Sequence, residues 1–281
     1  MRLATIRTAA GLRAVRIDEA AGRAVETGDA DVRALLEHAD WAERAATAAG
    51  PVHDLAGLDL APVVPSPEKI ICVGQNYRDH ILEMGNTPPT HPTLFAKYPP
   101  ALVGARDDIV LPPESQAVDW EVELAIVIGE PVRRAADEAA VLDAVAGYTV
   151  LNDVSMRDYQ YRTKQFLQGK TWERSTPVGP WLVTKDELPS PDGSGLAVST
   201  VLDGETMQDS NTDQLVFGVV DLVRYISTIV TLAPGDLIAT GTPGGVGHAR
   251  KPPRYLTDGT TVVTAIAGIG ELRNTCRAEQ P

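Results

Sequence analysis

Cysteine, aromatic residues and positive charge are scarce in this chain of 281 residues. The two cysteines, Cys72 and Cys276, are too few for a disulfide framework or a four-cysteine zinc site. Aromatic side chains make up 5% of the residues, too few for a surface on which nucleic-acid bases stack. The 25 Lys and Arg against 38 Asp and Glu give a net charge of -13, which disfavours nucleic acid and anionic membranes as partners.

Long hydrophobic runs are also missing. No stretch approaches the roughly 18 consecutive apolar residues of a transmembrane helix. The first twenty residues contain four arginines and no apolar run of the kind found in signal peptides. We therefore expect a cytoplasmic protein that does not enter a membrane.

Glycine and proline are frequent, with 24 and 21 residues, which predicts many short elements separated by turns. Pro62, Pro65 and Pro67 fix φ and remove backbone donors, so we expect an extended linker there. The linker divides the chain into a small N-terminal α/β domain over 1–66 and a larger domain over 67–281. The larger domain has runs of strands with occasional helices, which is typical of an α+β fold and not of a doubly wound sheet. In chain order we predict strands over 2–7, 11–17, 69–73, 119–128, 147–152, 179–184, 196–202, 236–240 and 260–267, and helices over 31–48, 77–84, 135–146 and 213–230.

Acidic residues mark the ends of two predicted strands. Asp119, Glu121 and Glu123 alternate and so share one face of a strand, and the apolar run 124–128 that follows predicts burial on both faces. Asp153 closes a second apolar strand. Buried carboxylates are costly unless they are protonated, paired or bound to a cation, and carboxylates without nearby Cys or His favour Mg²⁺, with Mn²⁺ or Ca²⁺ as alternatives. A solvated strand end and, for Asp153, a helix cap are the competing interpretations.

A histidine and a glutamate lie three residues apart in the predicted helix 77–84. At this spacing His80 and Glu83 face each other on one helical turn. A carboxylate beside an imidazole orients it and raises its basicity, which suits a general base that acts on water. An exposed polar pair is the alternative.

The sequence lacks the usual nucleotide-binding and hydrolase motifs. Gly169-Lys170-Thr171 resembles the end of a phosphate loop, but Lys164 stands where the first glycine is required. The glycine-rich run 241–247 predicts an anion-binding nest or a tight loop, and it lacks the dinucleotide fingerprint. We find no serine-hydrolase elbow and no zinc-protease motif.

Five motifs in a fixed order carry a family resemblance. They are Val73-Gly74-Gln75-Asn76-Tyr77 with His80 and Glu83, Asp119-Trp120-Glu121-Val122-Glu123, Asn152-Asp153-Val154-Ser155-Met156-Arg157-Asp158, Gln168-Gly169-Lys170, and Thr240-Gly241-Thr242-Pro243-Gly244-Gly245-Val246-Gly247. The ordered set resembles the fumarylacetoacetate hydrolase superfamily over about residues 68–277, in its smaller acylpyruvase branch. The resemblance implies an α+β, mixed β-sandwich roll that forms a homodimer.

The resemblance also implies roles for nine residues. Glu121, Glu123 and Asp153 correspond to metal ligands, His80, Glu83 and Lys170 to catalytic residues, and Arg157, Gln160 and Thr242 to substrate-binding residues. Asp119 is in phase with the metal ligands but is not part of the family's usual ligand set. Residues 1–66 resemble the short extra domain of many bacterial members, and we assign them no chemistry.

The implied reaction is the metal-dependent hydrolysis of a C–C bond in an acylpyruvate-type 2,4-dioxo acid. The metal stabilises the pyruvate enolate that leaves, His80 activates water, and Lys170 stabilises the developing oxyanion. The same enolate chemistry serves two alternatives: decarboxylation of oxaloacetate, and isomerisation of 2-hydroxyhepta-2,4-diene-1,7-dioate in aromatic catabolism. A binding protein without activity is a third interpretation, which predicts a missing base or ligand.

Overall fold

Strands, short helices and loops alternate along the whole chain. The computed structural model describes residues 1–280. Within them the strands are β1 (Arg2–Thr8), β2 (Gly11–Asp18), β3 (Arg23–Glu26), β4 (Val52–Asp54), β5 (Ile70–Gly74), β6 (Thr93–Lys97), β7 (Leu102–Val103), β8 (Ile109–Leu111), β9 (Val118–Asp119), β10 (Val122–Ile128), β11 (Val145–Asn152), β12 (Ser155–Met156), β13 (Thr176–Thr184), β14 (Ala197–Leu202), β15 (Glu205–Asn211), β16 (Leu237–Ala239), β17 (Thr261–Ile266) and β18 (Gly270–Ala278). The α-helices are α1 (Val32–Leu36), α2 (Trp41–Ala46), α3 (Arg78–Glu83), α4 (Glu138–Ala144), α5 (Arg157–Gln160), α6 (Leu167–Lys170) and α7 (Val219–Ile229).

The strands form two packed sheets and one short ribbon. An 11-stranded sheet has the order β4-β3-β2-β1-β13-β11-β10-β16-β5-β6, with β7 paired to β13 outside that path. A 5-stranded sheet has the order β15-β14-β17-β18-β8, and β9 pairs with β12. The smaller sheet packs on β10, β11 and β13 at the centre of the larger one. This architecture confirms the predicted α+β, mixed β-sandwich roll.

The centre of the large sheet is covered on both faces. Along β10, Leu124 and Ile126 belong to the core shared with the smaller sheet and α7, whereas Ala125 and Val127 belong to the core below α1. All four side chains are fully buried, because successive residues of a strand point to opposite faces. The uninterrupted apolar run therefore predicted this burial correctly.

The N-terminal strands extend the large sheet. β1 pairs with β13, with Arg2 opposite Val183 and Leu3 opposite Leu182. Residues 1–66 thus share a sheet with the rest of the chain. No helix or strand lies between Gly57 and β5, where we expected the extended linker. The domain boundary at residues 66 and 67 stays a prediction.

The helix predicted over 31–48 is wrong in its continuity, since the chain forms α1 and α2 instead. His38 Nε2 and Arg44 Nη2 both contact Asp29 Oδ1, at 3.1 and 3.3 Å. On one continuous helix, residues six positions apart point in different directions and would not meet at one carboxylate. This contact to a buried acid therefore favours a bend between the two helices.

The helix predicted over 213–230 is shorter than expected and begins only at Val219. The side chain of Asn76 accepts the amide of Phe217 at 2.9 Å and donates to its carbonyl at 3.0 Å. These two bonds hold Phe217 outside the helix, so α7 starts after Gly218. Among the helices of residues 1–280, none combines the length and the apolar character that a membrane crossing requires.

Candidate active site

The antiparallel pairing of β10 with β11 brings the predicted metal ligands together. Val122 lies opposite Asn152, so the start of β10 is next to the end of β11. Glu121, which directly precedes β10, and Glu123 within it therefore meet Asp153, which follows β11. The carboxylates of these three buried residues offer oxygen atoms that lie within 4.8 Å of one another.

Asp119 does not join this acidic cluster. The strand predicted over 119–128 is broken into β9 and β10. The amide of Trp120 donates to Asp119 Oδ1 at 2.8 Å, and the amide of Glu121 donates to Asn152 Oδ1 at 2.9 Å. Because side chains satisfy these two amides, no strand pairing is needed there and the backbone can turn.

The fully buried Asp119 carboxylate instead joins three parts of the site. Its Oδ2 accepts from Arg157 Nε at 2.8 Å and from the amide of His248 at 2.9 Å. Its Oδ1 accepts the amide of Gly247 at 2.7 Å. Asp119 thus ties β9, α5 and the glycine-rich loop after β16 to one another.

Three buried cations surround the acidic cluster. Lys170 Nζ lies 2.6 Å from Glu121 Oε2 and 2.8 Å from Asp153 Oδ2. Arg157 Nη1 lies 2.7 Å from Glu121 Oε1. Lys97 Nζ lies 2.5 Å from Asp153 Oδ1. Both oxygens of Glu121 and both oxygens of Asp153 are therefore paired with a cation.

Glu123 differs from the other two carboxylates, since it forms no ion pair among residues 1–280. Its Oε2 accepts the amide of Gly241 at 2.7 Å. Burial, followed by the charges of Asp153 and Glu121, raises the pKa of Glu123 well above its usual value. Burial also raises the pKa of Glu121. The positive charges of Lys170, which has the larger effect, and of Arg157 outweigh burial and lower that pKa to about 2.

This donor set fits a hard divalent cation. Carboxylate oxygens are the ligands that Mg²⁺, Mn²⁺ and Ca²⁺ prefer in proteins. Counting Asp119, four buried carboxyl groups face the three cations described above, so the site carries an excess of negative charge when all four are ionised. A bound cation would offset that excess beside Glu123, the carboxylate without a cationic partner.

The predicted base and its carboxylate lie together on α3. His80 Nδ1 is 3.3 Å from Glu83 Oε2. A carboxylate only accepts, so Nδ1 carries a proton, and in the neutral imidazole Nε2 is left as an acceptor. The amide of Gly245 lies 3.1 Å from each oxygen of Glu83. Burial raises the pKa of Glu83, but the hydrogen bonds from His80 and Gly245 outweigh it and lower the pKa.

A single cavity of about 120 Å³ connects these groups. Seven of the nine predicted residues line it: His80, Glu121, Glu123, Arg157, Gln160, Lys170 and Thr242. The other two, Glu83 and Asp153, contact His80 and Lys170. The volume is well below the roughly 300–1,000 Å³ of sites for drug-sized ligands, which indicates a small ligand. The structure brings all nine residues together, while their individual roles stay predictions.

The sequence analysis missed polar residues of the site, among them Lys97 and Gln208. Lys97 ends β6, and its side chain is fully buried beside Asp153. Gln208 of β15 donates to Thr242 Oγ1 at 2.8 Å and accepts the amide of Val122 at 3.2 Å. The only available signal for Lys97 was a lysine directly after Leu94-Phe95-Ala96, and Gln208 stands in a polar strand with no signal at all.

Comparison with known proteins identifies the family. The family model described as fumarylacetoacetate (FAA) hydrolase, C-terminal, matches residues 69–277. The chain belongs to the fumarylacetoacetate hydrolase family. Over 218 residues it is 48% identical to "Oxaloacetate tautomerase Fahd2a, mitochondrial" of Rattus norvegicus, covering 76% of this chain and 68% of that relative.

Solved structures of the family share the whole fold. The 5-carboxymethyl-2-hydroxymuconate delta-isomerase of Mycobacterium smegmatis is 32% identical with a TM-score of 0.82, covering 99% of this chain and 100% of that one. A fumarylacetoacetate hydrolase from Exiguobacterium antarcticum is 33% identical with a TM-score of 0.84, at the same coverage.

Membership in the family confirms the resemblance drawn from the order of the motifs and places the chain in a family of enzymes. It does not confirm C–C hydrolysis, because the relatives carry the names of a tautomerase, an isomerase and a hydrolase. The predicted cytoplasmic location also stays a prediction, and the word mitochondrial in the rat protein's name describes that protein.

Proposed function

We propose that this protein is a metal-dependent tautomerase that interconverts the keto and enol forms of a small 2-oxo dicarboxylic acid of the oxaloacetate type. One observation carries the proposal: an imidazole with a free acceptor nitrogen and a buried lysine line the same small cavity, next to a carboxylate cluster. The 48% identity to an oxaloacetate tautomerase supports the same chemistry here. Tautomerisation therefore replaces acylpyruvate hydrolysis as the leading interpretation.

His80 is the group that transfers the proton. Tautomerisation moves one proton between C3 and the oxygen on C2, and it adds no water and breaks no C–C bond. While Nδ1 donates to Glu83, Nε2 removes the C3 proton and returns it to the oxygen. One imidazole is sufficient, because the proton gained at Nε2 is the proton that it gives up.

Lys170 stabilises negative charge on the substrate oxygen. Burial lowers the pKa of Lys170, but Asp153 and Glu121 outweigh it and raise that pKa above its usual value. The ammonium group therefore stays charged, which suits electrostatic stabilisation better than proton donation.

The remaining predicted residues hold the substrate and the cation. We assign Arg157, Gln160 and Thr242 to the carboxylate groups of the substrate, since all three line the cavity. Glu121, Glu123 and Asp153 would hold the divalent cation, with Mg²⁺ as the first choice and Mn²⁺ or Ca²⁺ as alternatives. When bound, the cation supplies Lewis-acid polarisation of the 2-oxo group.

Hydrolysis of an acylpyruvate is the second candidate. The His80–Glu83 pair that serves proton transfer also suits the activation of water, and the structural neighbour from Exiguobacterium antarcticum is named a hydrolase. Cavity size does not separate the two candidates, because acetylpyruvate carries a methyl group where oxaloacetate carries a carboxylate oxygen. The identity to an oxaloacetate tautomerase is what ranks hydrolysis second.

A turnover assay separates the candidates. Purified protein is incubated with oxaloacetate, acetylpyruvate or fumarylpyruvate, with Mg²⁺ or with a chelator. The enol is followed by its ultraviolet absorbance, the products are identified, and the uncatalysed rate is subtracted. We expect metal-dependent interconversion of the oxaloacetate tautomers without release of CO₂ or a second carboxylic acid.

The matched variants are His80→Ala and His53→Ala. His53 also contacts a glutamate, Glu26, at 2.8 Å, but this pair lies between β3 and β4, outside the cavity. We expect His80→Ala to lower the rate by roughly 10²- to 10⁴-fold and His53→Ala to leave it unchanged. Cleavage of an acylpyruvate at a rate above that for oxaloacetate would reject the tautomerase in favour of the hydrolase.

A further inference from the structure

One wall of the cavity is aromatic. Phe95 of β6 and Phe166, which directly precedes α6, both line it. Their ring centres are 5.7 Å apart with an interplanar angle of 74°, an edge-to-face pair. The chain has three phenylalanines, so two of the three are placed at this wall.

The aromatic wall begins next to the reactive groups. Lys170 Nζ, which contacts Glu121 and Asp153, lies 5.3 Å from the centre of the Phe95 ring. A 2-oxo acid whose head is held at the carboxylate cluster therefore has this wall within reach of its tail. The rings offer no hydrogen bond, so what they contribute there is apolar contact and a steric limit.

Gly74, at the end of β5, lies against both rings. A Cβ at this position would lie 3.3 Å from Phe166 Cε2 and 3.6 Å from Phe95 Cε1. The first distance is tighter than an ordinary contact, so an alanine would displace the Phe166 ring by a few tenths of an ångström. The absence of a side chain at Gly74 thus helps to set the position of Phe166.

We propose that Phe166 sets the upper limit on the length of the chain that a bound 2-oxo acid can carry beyond its head, with Gly74 fixing where that limit lies. The proposal rests on the proposed function only for the 2-oxo acid head. A short tail ends before the ring, whereas a longer apolar tail collides with it. Replacing Phe166 by alanine removes the collision and leaves apolar space, in which each added CH₂ group strengthens binding by roughly fourfold.

The test measures binding and not turnover. Isothermal titration calorimetry in the presence of Mg²⁺ gives the Kd of pyruvate, 2-oxobutyrate, 2-oxopentanoate and 2-oxohexanoate. The proteins compared are the wild type, Phe166→Ala, Gly74→Ala and the control Leu167→Ala. Leu167 is the neighbouring apolar residue, which is 37% exposed and does not line the cavity.

We expect the wild-type affinity to stop rising at an intermediate tail length. For Phe166→Ala it continues to rise by roughly fourfold with each CH₂ group. For Gly74→Ala the rise stops at a shorter tail, and Leu167→Ala follows the wild type.

Two results would overturn the proposal. One is a folded Phe166→Ala protein with the wild-type length profile, and the other is an equal loss of affinity for all four acids, which would mean that the ring only supports the site. If circular dichroism shows that Phe166→Ala does not fold, the direction of the shift in Gly74→Ala decides. The expected length profile without any turnover of oxaloacetate would reject the tautomerase and leave the length limit standing.

Discussion

The stability of the protein without metal depends differently on the charges of Glu121 and Glu123. Both side chains are buried at the start of β10, and glutamine has nearly the same shape as glutamate. Glu121 lies 2.6 Å from Lys170 and 2.7 Å from Arg157, so Glu121→Gln leaves two buried cations short of a partner. Breaking a buried ion pair in this way costs roughly 3–5 kcal/mol.

Glu123 has no such partner among the described residues. Its raised pKa means that burial disfavours the charged form there, so exchange for the neutral glutamine removes less stabilisation than it does at Glu121. The glutamine oxygen can still accept the amide of Gly241, as the carboxylate does at 2.7 Å. We therefore expect Glu123→Gln to change the free energy of unfolding by less than about 1 kcal/mol, the order of one neutral hydrogen bond.

The assay is thermal unfolding with a chelator and then with excess Mg²⁺. With chelator, Glu121→Gln lowers Tm by on the order of 10 °C, whereas Glu123→Gln lowers it by roughly 3 °C at most. At a Mg²⁺ concentration of about 100 times Kd, the wild type gains about 2.7 kcal/mol, and both variants lose this gain.

Glu130→Gln is the matched control, since Glu130 is an exposed carboxylate just after the same strand. We expect it to stay within about 0.5 kcal/mol of the wild type and to keep the response to Mg²⁺. Equal destabilisation of Glu121→Gln and Glu123→Gln with chelator would refute the charge imbalance. A normal Mg²⁺ response in Glu123→Gln would refute its role as a ligand.

Three further predictions concern other contacts. Asp119→Asn weakens the hydrogen bonds that the carboxylate accepts from Arg157 Nε and from the amides of Gly247 and His248. We therefore expect KM for oxaloacetate to rise, with a smaller change in kcat. An unchanged KM in a folded variant would contradict this. Because the pKa of Glu83 is lowered in the folded protein, its charged form stabilises the fold above the usual pKa of 4.5, and this contribution is lost as the pH falls through the lower folded value. We therefore expect the Tm difference between wild type and Glu83→Gln to shrink on acidification. A Tm difference that does not depend on pH would refute the assignment. For the proposed homodimer, we expect light scattering to give a mass of twice 30.0 kDa. The reason is that the edge strand β6 lies beside the apolar residues Ile226 and Ile229, and Ile229 is 60% exposed. A measured mass of 30.0 kDa would exclude the homodimer.

The parts of the fold that were predictable are those set by local patterns. The apolar run 124–128 predicted a strand buried on both faces, and the three-residue spacing of His80 and Glu83 predicted that the two side chains meet on α3. The association of Glu121, Glu123 and Asp153 followed from the family resemblance. The pairing of β10 with β11 is its physical basis.

The parts that were not predictable depend on contacts between distant segments. The break between β9 and β10 needs Asn152 to accept the amide of Glu121. The break between α1 and α2 reflects the shared contact to Asp29. Lys97 reaches Asp153 from 56 residues away, and Gln208 reaches Thr242 from the smaller sheet. Periodicity reports which face of an element is buried, but it does not report which distant side chain lies against that face.

The Glu83 carboxylate has two partners at once, the imidazole of His80 and the amide of Gly245. The first contact prepares the base, and the second fastens α3 to the loop that follows β16. His80 and Glu83 move together as parts of α3, so what the loop contributes is the amide that fixes the carboxylate from its other side. A shift of that loop would loosen the orientation of the imidazole without touching it, so substitutions after β16 can reach the base through Glu83.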